Sequence, residues 1–345
     1  MHITRHTKHG IDQTSMTVKT LLDPNEVRFF SGNSNRPLAQ KIADYAGVPL
    51  DETHFSRFSN DNLFVQLGAS VRGRIVYIVQ SLTPPVSDNL MELLMMLDIA
   101  KGAAAREVHA VIPYFSYARS DKKDAPRISI TARLAADLLK TAGASHVMTM
   151  TLHSPQVHGF FSVPTDPLTA RTVFATHMRA RDYDPKTTVV VAPDAGQAKP
   201  AARFARDLGL PVAVGNKTRL SDTQVEIEDT LSRQLRGFET AIVYEDEIAT
   251  GGTITEVSQM LIRSGIHQIS LVCTHGLFLG KALARIQAIS EITEVITTDT
   301  VALPPEKYLP NMTVLSVGEV FGEAIRCNYF RQSIGALFSF GDGDE

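Results

Sequence analysis

The sequence predicts an α/β protein built on doubly wound, mostly parallel sheets. Short runs at 74–80, 108–112, 146–150, 188–192, 241–244, 268–273, 295–298 and 314–317 are β-rich and almost continuously apolar. Strands that are apolar on both faces belong in parallel sheets covered by helices on both sides. Helical patterns lie between these runs, at 37–46, 88–101, 129–141, 197–208 and 253–264. Alternation of strand and helix is the signature of the class. The alternation restarts near residue 170, after Val163-Pro164-Thr165-Asp166-Pro167, which reads as a loop. Two similar halves are predicted, 24–169 and 170–323, preceded by a polar extension over 1–23.

The 345 residues suffice for two cores, and a hydrophobic fraction of 43% is that of an ordinary globular chain. A net charge of −3 with interspersed signs gives no electrostatic basis for a nucleic-acid or membrane partner. The most apolar helical stretch, around 90–100, is interrupted by Glu92 and Asp98 and cannot span a bilayer. The amino-terminal residues lack the apolar core of a signal peptide, and Cys273 and Cys327 have no metal-ligand spacing. A cytoplasmic protein is expected. His2, His6 and His9 read either as a metal-binding tail or as incidental.

In such sheets ligands bind beyond the carboxyl ends of the strands, so the polar residues following each apolar run carry the functional information. The most informative segment runs from Thr240 to Thr253. Its strand ends in Glu245 and Asp246, and a turn containing Ala249, Thr250, Gly251, Gly252 and Thr253 then opens a helix. Glycine lets backbone N–H groups approach a phosphate, and a helix N-terminus adds partial positive charge. Carboxylates beside that cradle can accept hydrogen bonds from ribose hydroxyls, directly or through a metal. The segment therefore reads as a ribose 5-phosphate site, against the plainer reading of a strand-to-helix turn with a capping threonine.

Asp194, in Pro193-Asp194-Ala195-Gly196, is placed to reach the ribose or a metal-bound water, or simply to cap a turn. The run from Tyr114 to Asp124 follows a strand with aromatics and a dense charged loop; Arg119 could grip a polyphosphate there, or the loop could be merely solvated. His153 follows a buried strand, where a histidine either polarises a phosphate or is structural. Lys217 and Arg219 follow the strand at 211–214 and suit stabilisation of a transferring phosphoryl group, or are surface charges.

Collinear segments then point to a family. Ser31-Gly32-Asn33-Ser34-Asn35, Ile112-Pro113-Tyr114-Phe115, Tyr117-Ala118-Arg119, Gly159-Phe160-Phe161, Pro193-Asp194-Ala195-Gly196 and Thr274-His275-Gly276 resemble the ribose-phosphate diphosphokinases, or PRPP synthetases. The likeness extends over 27–338. It implies two tandem phosphoribosyltransferase-like (type I) domains, with 324–345 returning to the first, and Mg²⁺ as cofactor. It also implies a homo-oligomer built from dimers, typically a hexamer, acting on ATP and a ribose 5-phosphate acceptor. Carried over by motif, Arg119, Ser120, Asp124, His153 and Asp166 would face ATP, with Phe58, Asn60 and Asn62 supplied by a neighbouring subunit. Asp194, Glu245, Asp246, Ala249, Thr250, Gly251, Gly252 and Thr253 would hold the sugar phosphate, His153 and Asp194 the metal, and Lys217 and Arg219 would be the catalytic cations.

The departures cluster at these same positions. Thr151 stands where the family has aspartate in Asp-Leu-His, and Asn60-Asp61-Asn62 replaces Asp-Gly-Glu. Ser120 replaces glutamine, Gln197 and Pro200 replace glycine and arginine, and Gly335 replaces a serine. The family's Asp-Asp-x-x-Asp-Thr reads Glu245-Asp246-Glu247-Ile248-Ala249-Thr250. Four readings follow: a divergent PRPP synthetase, a diphosphokinase with a larger acceptor such as ADP-ribose, a non-catalytic regulatory partner, and a phosphoribosyltransferase.

Overall fold

The computed structural model describes residues 21–215 and 231–338. Numbering the described elements in chain order, β1 (Val27–Ser31) leads through α1 (Arg36–Ala46) to an antiparallel hairpin, β2 (Thr53–Arg57) and β3 (Leu63–Leu67). There follow β4 (Ile75–Val79), α2 (Val86–Gly102), β5 (Glu107–Ile112), α3 (Thr131–Ala142), β6 (His146–Met150) and β7 (Thr165–Leu168). These strands form a first sheet, ordered β1-β4-β5-β6-β7, in which every neighbouring pair is parallel.

The second half repeats the pattern with α4 (Arg171–Arg179), β8 (Thr188–Ala192), α5 (Ala198–Leu208), β9 (Val212–Val214) and β10 (Thr240–Ile248). It continues with α6 (Gly252–Arg263), β11 (Gln268–Gly276), α7 (Ala282–Gln287), β12 (Ile292–Thr298), β13 (Met312–Leu315) and α8 (Gly318–Tyr329). Its sheet, ordered β13-β12-β11-β10-β8-β9, is again wholly parallel. The α/β class and the doubly wound parallel sheets read from the sequence are therefore present.

The central strands are short because each is an apolar run buried on both faces: every residue of β4 and of β8 is buried. Helix α1 starts where the Asn35 side chain accepts a hydrogen bond from the Leu38 N–H, with Pro37 in the first turn, and ends at Gly47 in the left-handed conformation (φ 73°). It buries Leu38, Ala39, Ile42, Ala43 and Ala46. Helix α8 lies against it. A Cβ at Gly322 would come within 2.4 Å of the Tyr45 ring, so only glycine permits this approach. Tyr45 Oη donates to Glu323 at 2.9 Å, and Arg326 grips the same carboxylate with two nitrogens at 2.7 and 2.8 Å. Those donors, Arg326 foremost, hold Glu323 down at about 2. Residues beyond α8 also reach the first sheet, where Thr169 N–H donates to the Leu337 carbonyl at 3.1 Å.

One hydrophobic cluster runs through both sheets and contains Phe29, Tyr77, Phe174, Phe204, Tyr244 and Phe321. The stretch at 163–167, expected as a loop, partly forms β7 instead. Pro167 is tolerated because β7 is the edge strand, where a missing N–H leaves no ladder bond unmade. No described helix is long and apolar enough to cross a membrane.

Candidate active site

The carboxyl ends of the two sheets meet at a cleft of about 170 Å³, lined by Arg119, His153, Asp194, Glu245, Asp246, Glu247 and residues 248–254. Strand β10 builds its floor. The strand pairs with β8 only over Thr240–Val243, yet continues along β11 as far as Ile248. That overhang projects three consecutive acids, Glu245, Asp246 and Glu247, beyond the rest of the sheet.

The chain then turns through Gly251, at φ 74°, into α6. A side chain at this glycine would be strained by the left-handed backbone, and its Cβ would also meet the Ala282 Cα at 3.3 Å. Arg285 of α7 steadies the turn, donating from Nη1 to the Thr250 carbonyl at 2.8 Å. Ala249 is held by its own carbonyl, which accepts from Leu279 N–H at 2.7 Å. Asp194 caps the turn into α5: its Oδ1 accepts from the N–H groups of Gly196 and Gln197 at 2.8 and 3.2 Å. The residue also lines the cleft, so the capping role does not remove it from the site.

Three contacts cross from the first sheet to the acids of β10. His153 Nδ1 lies 2.6 Å from Asp246 Oδ2, and Nε2 has no partner among the described residues. Arg119 Nη1 donates to Glu247 Oε1 at 3.1 Å, and Tyr114 Oη donates to Glu247 Oε2 at 2.9 Å. Burial, and then the adjacent Glu247 charge, push the Tyr114 phenol well above its ordinary range, so it remains the donor. Burial and the neighbouring Asp246 push Glu245 upward as well. Burial alone would also raise Asp246, but hydrogen bonds from His153 and Glu245 prevail and hold it low. The Asp246 hydrogen bond in turn raises His153, against its desolvation.

The approach of His153 depends on the backbone before it. Thr151 adopts φ 43°, a conformation that a β-branched residue rarely takes. Its hydroxyl meets Thr274 Oγ1 at 3.2 Å, and His275 Nε2 lies 3.2 Å from each of the carbonyls of Met150 and Thr151. The Thr151 hydroxyl is thus paired where the family pattern has a carboxylate.

Other expected site residues are not gathered here. Ser120 closes its own loop, accepting from Thr131 N–H at 3.3 Å, and Asp124 is exposed within that loop. Phe58, Asn60 and Asn62 sit at the tip of the β2–β3 hairpin, Phe58 being 57% exposed. Arg57 anchors that tip to Asp61 and Asp88. Asp166 lies at the opposite, amino end of the first sheet. It pairs with His146 Nε2 at 2.8 Å, and His146 in turn meets His109, Nδ1 to Nδ1, at 3.0 Å. Asp166 lines a separate pocket with Glu107, His109 and Asn328 and is not among the residues of the cleft. Lys217 and Arg219 lie outside the described residues.

The buried histidine pair carries a stability prediction. His146→Ala removes a partner from both the part-exposed Asp166 carboxylate and the His109 ring, which keeps Glu107 at 3.2 Å, and is expected to cost about 1–2 kcal/mol. A shift in denaturant midpoint at constant slope measures this; an unmoved midpoint means that the pair contributes nothing.

Comparison with known proteins agrees with this geometry. Residues 27–143 match the N-terminal domain of ribose phosphate pyrophosphokinase, and 235–339 match the phosphoribosyl synthetase-associated domain. The chain is 48% identical over 313 residues to a putative ribose-phosphate pyrophosphokinase of Streptomyces coelicolor, covering 91% of this chain and 98% of that one. The chain belongs to the ribose-phosphate pyrophosphokinase family. A ribose-phosphate pyrophosphokinase of Deinococcus radiodurans is 46% identical over 313 residues, covering 90% of this chain and 97% of the relative. Among solved structures, the phosphoribosylpyrophosphate synthetase of Mycobacterium smegmatis superposes with a TM-score of 0.80 at 33% identity, covering 89% of this chain and 99% of that one. Against the family pattern, sequence reasoning missed Glu247 and Arg285, and took Tyr114 as one aromatic of a run rather than as a partner of Glu247. Glu247 occupies a position that the pattern leaves open, and Arg285 reaches the turn from a different helix.

Proposed function

We propose that the chain transfers the β,γ-diphosphate of ATP to the 1-hydroxyl of ribose 5-phosphate, giving 5-phosphoribosyl 1-diphosphate and AMP. The observation that carries this is the two-sided cleft: acids and a glycine turn on β10 and α6 face Arg119 and His153 of the first sheet. The turn offers backbone N–H groups to the 5-phosphate, and Glu245 and Asp246 accept from the sugar hydroxyls. Arg119 grips the polyphosphate, so that the 1-hydroxyl oxygen stands in line with the β-phosphorus. The new bond joins that oxygen to the β-phosphorus, the bond from the β-phosphorus to the α-bridging oxygen breaks, and the hydroxyl proton is released. Lys217 and Arg219 stabilise the charge on the transferred group.

The cofactor is Mg²⁺. Most of the cleft donors are hard carboxylate and carbonyl oxygens, which suit it; Asp194, and His153 through a ring nitrogen, border the place where it would be held. Among the described residues no cluster of three or more acids, histidines or cysteines forms a ready cage. Mg²⁺ is commonly carried on substrate phosphates with one or two protein carboxylates, and there it neutralises polyphosphate charge. The proposed homo-oligomer is a hexamer built from dimers; what supports contact with a neighbouring subunit is the β2–β3 tip, whose Phe58 is exposed and does not line the cleft of its own chain. A cytoplasmic location suits an ATP-consuming enzyme whose two cysteines are free thiols.

A second reading rests on Ala249, which lines the cleft where the family has aspartate. It removes bulk and negative charge beside the 5-phosphate, leaving room for the second phosphate of ADP-ribose. AMP release from ATP and Mg²⁺ is therefore measured with ribose 5-phosphate, with ADP-ribose and with no acceptor. The expected result is turnover on ribose 5-phosphate. Turnover chiefly on ADP-ribose transfers the assignment to the second reading, and silence with both means a regulatory partner.

A further inference from the structure

The mechanism above gives no task to Glu247, although it is the most firmly bridged acid between the two sheets. Its side chain is 8% exposed, against 58% for its partner Arg119. Buried carboxylates are costly unless paired. Among the described residues, this one is satisfied by groups that follow β5 of the first sheet, Arg119 at 3.1 Å and Tyr114 at 2.9 Å. Tyr114 is itself fixed, because its ring packs on His275 at 4.8 Å and it forms a small buried cluster with Leu277 and Val301.

A guanidinium carries five N–H donors, and Glu247 engages Arg119 through Nη1 alone. The remaining donors stay with the exposed part of the side chain, on the cleft that also contains His153. We infer that Glu247 is a positioning residue for ATP: with Tyr114 as its second anchor, it holds one edge of the Arg119 guanidinium so that the other edge is presented to the polyphosphate. Holding the group in advance lowers the entropy lost when a long side chain is ordered on its ligand. The inference rests on the reading that Arg119 meets ATP.

A simple staple between the sheets would affect stability and both substrates together, whereas a positioning residue separates them. Glu247→Gln keeps the side-chain volume and a weakened hydrogen bond but removes the charge. It is expected to raise KM for ATP about tenfold while leaving kcat and KM for ribose 5-phosphate within about twofold. Tyr114→Phe is expected to raise KM for ATP about threefold by loosening Glu247. Arg119→Ala, which raises KM for ATP more strongly, should abolish the further effect of Glu247→Gln in the double variant. If Arg119→Ala raises KM for ATP and Glu247→Gln leaves it unchanged, lowers it or adds to it independently, the positioning role is overturned and the ATP role of Arg119 stands. If Arg119→Ala itself leaves KM for ATP unchanged, the reading beneath the inference fails. Should Glu247→Gln reduce folded yield, Tyr114→Phe with Arg119→Ala supplies the same cycle.

Discussion

Replacing Lys217 with Ala is expected to lower AMP formation at saturating ATP and ribose 5-phosphate by about a thousandfold, or about 4 kcal/mol of transition-state stabilisation. In phosphoryl transfer the protein contributes little covalent chemistry; it positions the reactants and neutralises charge that spreads over the equatorial oxygens at the transition state. A cation that meets this charge only at the transition state raises kcat and leaves ground-state affinity almost untouched. The ATP dissociation constant, measured by calorimetry without acceptor, should therefore change by less than about threefold. Arg219→Ala should behave in the same way. Lys217→Arg, which keeps the charge on a different shape, should recover part of the loss. Undiminished turnover in Lys217→Ala would remove that cation from the mechanism, and the same result in Arg219→Ala would remove the other. Loss of ATP affinity equal to the loss of rate would make them ordinary binding groups.

The two sheets were legible because β4 and β8 are five-residue, almost wholly apolar runs with every residue buried, a pattern that the order of residues exposes. What stayed hidden lacked such a pattern. The β2–β3 hairpin mixes exposed polar and aromatic residues and buries little, so its alternation is faint. Strand β7 is bounded and interrupted by prolines that on their own argue for a turn, and only its edge position makes Pro167 acceptable. Helix α8 contains Gly318 and Gly322, both poor for helix propensity; the gain that offsets them is close packing on Lys41 and Tyr45 of a helix near the other end of the chain.

The site divides in the same way. Glu245, Asp246 and the glycine turn are contiguous, so their chemistry could be read locally. The pairings His153–Asp246 and Arg119–Glu247 join residues 93 and 128 positions apart and required the two sheets to be placed together. Asp166 is the converse: the resemblance carries it to ATP, whereas in the fold it lies before the carboxyl end of β7 and pairs with His146.

The pairing of Asp246 with His153 supplies the other large effect. Asp246→Asn is expected to reduce kcat/KM for ribose 5-phosphate by about a hundredfold or more, or roughly 3 kcal/mol. The wild-type carboxylate is only 4% exposed, so its charge is maintained against desolvation by the donors around it, with His153 at 2.6 Å. Asparagine preserves the size but is neutral. It cannot accept strongly from a sugar hydroxyl and a histidine at once, and its amide hydrogens would face donors on at least one side. Both sides of the cleft should therefore weaken: the sugar loses an acceptor, and His153 loses the partner that orients it. KM for both substrates rises, unlike the ATP-specific rise expected of Glu247→Gln one residue further along the strand. Two neighbouring acids on one overhanging strand would then have separable functions, one serving the junction of both ligands and the other a single arginine. Asp246→Asn with unaltered kinetics would mean that the carboxylate only ties β10 to His153 and that the sugar binds elsewhere. Equal effects of the two substitutions on both substrates would instead mean that the acids act as one structural clamp, and that neither selects a ligand.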